Sequence, residues 1–250
     1  VLFVPILLGL PRLYLWAQPG AAAADPVIAH KAPYLNVPFF VVRTVIYFAA
    51  WSGLALWLSR ASLRQDHLAD PGVARRIRKV SAAGLVVYCL TMTLASFDWL
   101  MSLNVHWYST IYGVYVIGGQ GVAAMSFAVL ATLFVSRFPP MSWAVQARHF
   151  HDLGKMMLAF VMLWAYFALS QFLVIWAGNL PEEVPYYISR TRGGFRLVSL
   201  LLVLFHFVLP FLLLLSRERK RDARRLAVVA VLLLVMRWVD VYWLVTPSLS

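Results

Sequence analysis

The chain has 250 residues, of which 62% are hydrophobic and 13% charged, with a formal charge of +12 and a mean hydropathy of +0.76. Soluble domains carry about 45–50% apolar and about 25% charged residues, so this composition excludes an ordinary soluble domain and indicates an integral membrane protein. A soluble chain this basic would suggest nucleic acid; here the positive residues sit in short runs between apolar stretches, which excludes that partner and fits membrane topology.

Seven apolar segments are predicted as transmembrane helices, at about 1–17, 37–59, 80–103, 111–136, 153–177, 196–216 and 226–246. Most approach 20 residues, the length needed to cross about 30 Å of hydrocarbon. Backbone polar groups in lipid must be satisfied within the segment, so these are helices. Alternating segments of about 10 residues, the mark of membrane strands, are absent. The first segment is the weakest, because Pro11 and Arg12 interrupt it. The chain begins on an apolar Val1 without a basic leader and ends just after a span, so it is expected to be truncated at both ends, as a single transmembrane domain over 1–250. Cys89, the lone cysteine, is expected to pack inside its helix; one cysteine excludes internal disulfides and a thiolate-ligated cluster.

The loops set orientation. Residues 60–79 carry Arg60, Arg64, Arg75, Arg76, Arg78 and Lys79; residues 137–152 carry Arg137 and Arg148; residues 216–225 carry Arg217, Arg219, Lys220, Arg221, Arg224 and Arg225. These three loops fall on one side, and the positive-inside rule makes that side cytoplasmic. Trp99, Trp107, Tyr108, Trp176, Tyr186, Tyr187, Tyr242 and Trp243 gather toward the other side. They read as an interfacial aromatic belt, with the lining of a quinone or lipid pocket as the alternative. Gly113, Gly118, Gly119 and Gly121 in the fourth segment allow a neighbouring helix to approach closely; they are not a phosphate loop, since no strand precedes them.

Ionisable residues inside the spans are the most informative, because charge in a bilayer costs several kcal/mol. At a rise of about 1.5 Å per residue, Arg43, Asp98 and Asp240 each lie about 8–9 Å from the outer end of their spans, in one layer. Arg237 and Asp240, three apart, share a helix face. His206 and Arg237 sit near mid-depth. His149, His151, Asp152 and Lys155 cluster at the cytoplasmic end of the fifth segment. Together these residues outline a polar path of titratable groups at staggered depth, as proton conduction requires. The competing reading is a set of static ion pairs that hold helices in register, with Lys155 snorkelling to headgroups. Only His206 is deep among the histidines, so paired axial ligation of a haem is not expected, and His149–x–His151–Asp152 is a poor metal site.

Four blocks carry a family resemblance: KAPYLNVPFFVVRTVIYFAAW (31–51), SFDWLMSLNVHWYSTIYGVYV (96–116), HDLGKMMLAFVMLWAYFALSQFLVIWAGNLPEE (151–183) and RWVDVYWLV (237–245). They resemble alternative complex III, a bacterial quinol:cytochrome c oxidoreductase, in its NrfD-like membrane subunit of the ActF type. The resemblance implies a double four-helix bundle of which this chain is a fragment, in the bacterial inner membrane. It implies no redox centre in this chain, with haem c and iron–sulfur clusters in partner subunits. Those partners would be an ActC-type sister subunit, an iron–sulfur protein, a multihaem cytochrome c and, in some complexes, a terminal oxidase. A non-catalytic role in proton conduction and assembly follows at least as readily as quinone binding. An ion- or proton-coupled secondary transporter and a purely structural anchor are the alternative functions.

Overall fold

The computed structural model describes residues 3–67 and 71–249. It is all-helical, 84% helix, with no strand among the described residues. Six helices are long and apolar enough to cross a membrane: α1 (Val37–His67), α2 (Pro71–Trp99), α3 (Tyr112–Val135), α4 (Ala147–Gly178), α5 (Phe195–Leu215) and α6 (Ala223–Val245). They match six of the seven predicted segments.

The remaining segment, 1–17, is not one helix. It forms short pieces, Val4–Leu8, Leu10–Leu13 and a 3-10 turn at Leu15–Ala17. Pro5 and Pro11 each stand near the start of a piece, where a missing N–H costs nothing, and the chain turns at Gly9 between them. Each of the three basic loops joins a pair of the six long helices.

The chain divides into two compact units, one running to His106 and the other from Trp107 onward. The first unit pairs α1 with α2, and the short helices add Tyr14, Trp16 and Ile28 to its buried residues. Tyr14, Trp16 and Phe40 form a buried aromatic group, and Trp99 packs against Phe48 and Trp51 in a second, partly exposed one. Cys89 is exposed on α2 rather than packed. Its neighbours Leu85, Val86 and Leu90 are exposed too, the expected state of a lipid-facing stripe.

The second unit is built on α3, which lies against both α4 and α6. Small residues make those approaches close. A Cβ on Gly118 would touch the Trp164 backbone at 3.4 Å, and one on Gly121 would collide with the Phe160 ring. In lipid, such close packing replaces the hydrophobic effect as the force between helices. Local signals fix the helix ends. Gln146 and His149 form a reciprocal capping box at the start of α4, and Asn179 ends that helix in the left-handed conformation, φ 47°. Asp222 caps α6 by accepting from the amides of Arg224 and Arg225.

Helix α5 is irregular. Leu202–Val208 runs as a π-helix between two α-helical halves. Pro210 explains the position: it has no N–H for the carbonyl of His206 four residues earlier, and its ring crowds that carbonyl. Widening the turn relieves both problems.

Candidate functional site

The first unit holds a buried ion pair that is fully satisfied. Asp98, on the last turn of α2, is completely buried. Arg43 of α1 grips it with two parallel bonds, Nε to Oδ2 at 2.8 Å and an Nη to Oδ1 at 2.9 Å. The Tyr47 hydroxyl donates to Oδ2 at 2.8 Å. The remaining Arg43 nitrogen donates to the Tyr34 carbonyl at 3.0 Å, and the guanidinium lies over the Tyr34 and Phe39 rings. A planar fork meeting a carboxylate in this way is the strongest neutralising geometry available to the pair. Tyr34, just ahead of α1, is itself affected: burial, then the charge of Asp98, pushes its phenol up to about 12. Every strong group of this cluster has a partner.

The second unit holds a different arrangement. Asp240, also completely buried, accepts from the Tyr115 hydroxyl of α3 at 2.8 Å, from the Trp164 indole of α4 at 3.1 Å and from Arg237 one turn earlier on α6. Gly119 makes room for Arg237; a Cβ there would run into the guanidinium. Three helices thus converge on one carboxylate. Beside it stands His206, with no exposed surface, its ring edge-on to Trp164 at 4.2 Å between centroids. Neither His206 ring nitrogen has a hydrogen-bond partner among the described residues. A buried imidazole normally satisfies at least one. It sits in the π-helical turn, a distortion that recurs at functional sites.

The predicted layer of Arg43, Asp98 and Asp240 therefore resolves into two separate associations: Arg43 with Asp98 in the first unit, Arg237 with Asp240 in the second. His206 joins the second by packing rather than by a hydrogen bond. At the far end of α4, the expected polar cluster is a set of surface interactions. The His149 Nδ1 accepts from the Gln146 amide at 2.9 Å as part of the helix cap. Lys155 pairs with Asp152 at 2.8 Å, with both side chains more than half exposed. His149 and Asp152 also line an open, largely apolar cleft of about 680 Å³ formed with Thr132, Met141, Leu153 and Met156. Among the described residues no group of three or more His, Cys, Asp or Glu could hold a metal ion.

Arg190, in a loop between spans by sequence, is 1% exposed. It lies in the short helix Val184–Thr191, over the Tyr186 ring at 3.5 Å, and donates to the Leu244 carbonyl at 2.8 Å and the Ser248 hydroxyl at 2.9 Å. It ties that helix to the end of α6. The Tyr186–x–x–x–Arg190 spacing, which places both on one helix face, was the available signal. Tyr186 in turn stacks on Trp107 at 3.7 Å, and burial pushes its phenol up to about 12. The aromatic belt is accordingly mixed: Tyr108, Trp176 and Tyr242 are exposed, as a belt requires, whereas Trp107 and Tyr186 are core.

No protein-family model matches the chain, and no curated protein is similar to it.

Proposed function

We propose that the chain is a non-catalytic membrane subunit of a bacterial quinol:cytochrome c oxidoreductase of the alternative complex III type. In this reading the Asp240 cluster and His206 form a proton-conducting step in the membrane interior. The respiratory part of the reading is supported by the four sequence blocks quoted above. The proton part is carried by one observation: a fully buried histidine with two unpartnered nitrogens stands beside a carboxylate held by three helices.

The chemistry follows from these groups. Asp240 accepts from three donors, the Tyr115 hydroxyl, the Trp164 indole and the Arg237 guanidinium. An imidazole can take a proton at one nitrogen and release one from the other, which suits it to relay rather than to hold charge. Titratable groups in the interior of a helical bundle are the usual material of proton routes. In this reading electrons pass through haem and iron–sulfur groups of partner subunits, and this chain supplies binding surface and a proton step. Quinone could occupy the same interior, since indole and phenol groups flank it.

A structural role is favoured for the first unit by a specific observation. Arg43 and Asp98 bond one another in a bidentate pair, completed by Tyr47 and the Tyr34 carbonyl.

The test is Asp240→Asn in the complete respiratory complex, measuring quinol oxidation and proton translocation together. We expect assembly and quinol oxidation to persist and proton translocation to fall. Unchanged values for both, with normal assembly, would remove Asp240 from the mechanism.

A further inference from the structure

We propose that Lys220 anchors the phosphate of an anionic phospholipid headgroup, at the end of the second unit where α5 finishes and α4 and α6 begin. The inference rests on the membrane-spanning helices and not on the respiratory reading.

The segment 216–225 carries six basic residues against Glu218 and Asp222. Asp222 is engaged by the Arg224 and Arg225 amides and by the Arg225 side chain at 3.1 Å. Of the six basic residues only Lys220 is buried, at 8% exposure. Its stem lies across Gly154 of α4: a Cβ on that glycine would stand 2.9 Å from the Lys220 Cγ and 3.2 Å from its Cβ and Cδ. The absence of a side chain at 154 is therefore what lets the lysine lie down there. The stem is thus packed on α4 over Cβ, Cγ and Cδ, which fixes where its ammonium emerges.

The charge at the end of that stem lacks a counter-ion. No carboxylate among the described residues forms an ion pair with Lys220; the nearest acidic residue on α4, Asp152, is taken by Lys155. Lys155, Lys220 and Arg217 all act electrostatically on His151, one turn before Gly154, against the single opposing charge of Asp152, so cations outnumber anions at this spot. A clamped ammonium among like charges is stabilised by an anion. At the boundary of a bilayer the resident anion is a lipid phosphate, and basic pockets between helix ends on the cytoplasmic side are where such headgroups bind. Leu212, Leu215 and Val228 are exposed on the adjoining helix ends and give acyl chains an apolar surface. That surface is the reason to commit to a lipid rather than to free phosphate.

The experiment uses the full chain, with any subunits that copurify, in nanodiscs of phosphatidylcholine with and without phosphatidylglycerol. Lipid retention is read by native mass spectrometry. Lys220→Met keeps the stem against Gly154 and removes only the charge. It should lower phosphatidylglycerol retention about fivefold, the factor expected for one basic residue at the membrane surface. Arg224→Met, at an exposed position, should change retention little. Wild-type retention in K220M would overturn the proposal, as would an equal loss in R224M, which would mean a diffuse basic patch. Displacement of the lipid by millimolar inorganic phosphate would overturn the lipid assignment. Independently of any variant, the unfolding temperature of the wild type should rise with the phosphatidylglycerol fraction, and a flat response would also count against it.

Discussion

Two buried carboxylates, Asp98 and Asp240, are equally inaccessible and yet stand in different kinds of surroundings. Asp98 meets a bidentate arginine and a tyrosine, and the arginine finds its last acceptor on a backbone carbonyl. The account closes within two helices and their flanking turn. Asp240 gathers donors from three helices, and the next polar group, His206, is left with both nitrogens unbonded. The first arrangement is what rigidity requires. The second has an unsatisfied imidazole packed beside it. Burial is common to both carboxylates; the two differ in their hydrogen-bond partners.

The comparison can be broken most forcefully at Arg43. Arg43→Ala leaves the Asp98 charge buried without its partner, and should destabilise the protein by about 3–5 kcal/mol. Thermal unfolding in nanodiscs reads this; a loss under about 1 kcal/mol, the value of an exposed pair, would show that the pair is not a strut.

His206→Phe sharpens the contrast in the opposite direction. Phenylalanine preserves the edge-on contact with Trp164 and removes two unsatisfied nitrogens. Stability should stay level or rise by up to about 2 kcal/mol, since a buried unsatisfied group costs on that order. On the function proposed above, proton translocation by the respiratory complex should fall at the same time. A variant that is both less stable and fully active would assign the histidine to packing.

The smallest effect belongs to the exposed edge of the first unit. Asp25 caps the helix Pro26–Lys31 through the Val27 amide at 2.8 Å and meets His106 at 2.7 Å. The amide bond first, and then the His106 contact, hold its carboxyl below the usual range. A depressed folded value means that the stabilisation is present above the ordinary carboxylate value and lost as pH falls through the lower, folded one. Amide exchange in residues 26–31 should therefore quicken only in strongly acidic solution, and Asp25→Ala should abolish that pH step. An acid step that persists in that variant would overturn the assignment to Asp25.

Much of the architecture was readable from the residues. The six long helices follow from apolar length, and the glycines of α3 announced its close neighbours. The charged residues in the spans were recognisable as costly, and the Arg237–Asp240 spacing placed them on one face. Partner choice was not readable, because depth along a helix says nothing about which helices meet; Arg43 could have joined either carboxylate. The first apolar segment misled because hydropathy counts side chains and ignores what Pro5, Gly9 and Pro11 do to the backbone. Arg190 was missed for a related reason: a short helix between spans reads as loop, and a cation there reads as solvated. His149 was visible as an interfacial histidine, but its part in a capping box depends on Gln146 three residues earlier and draws it away from any relay.

The wide turn at Leu202–Val208 has a consequence for how α5 is built. In an ordinary α-helix each residue advances the side chains by about 100°, so one extra residue in a turn offsets the two halves by that angle. Here the half before the turn meets α6 and the half after it meets α4 as well. The turn thus works as a phase adjuster, letting one rod offer correct faces to two neighbours that a regular helix could not serve together. Deleting a single residue within 202–208 should therefore straighten the rod and leave both faces where they are, whereas forcing the turn into regular α-helix at constant length would turn one half's side chains by about a quarter of a revolution.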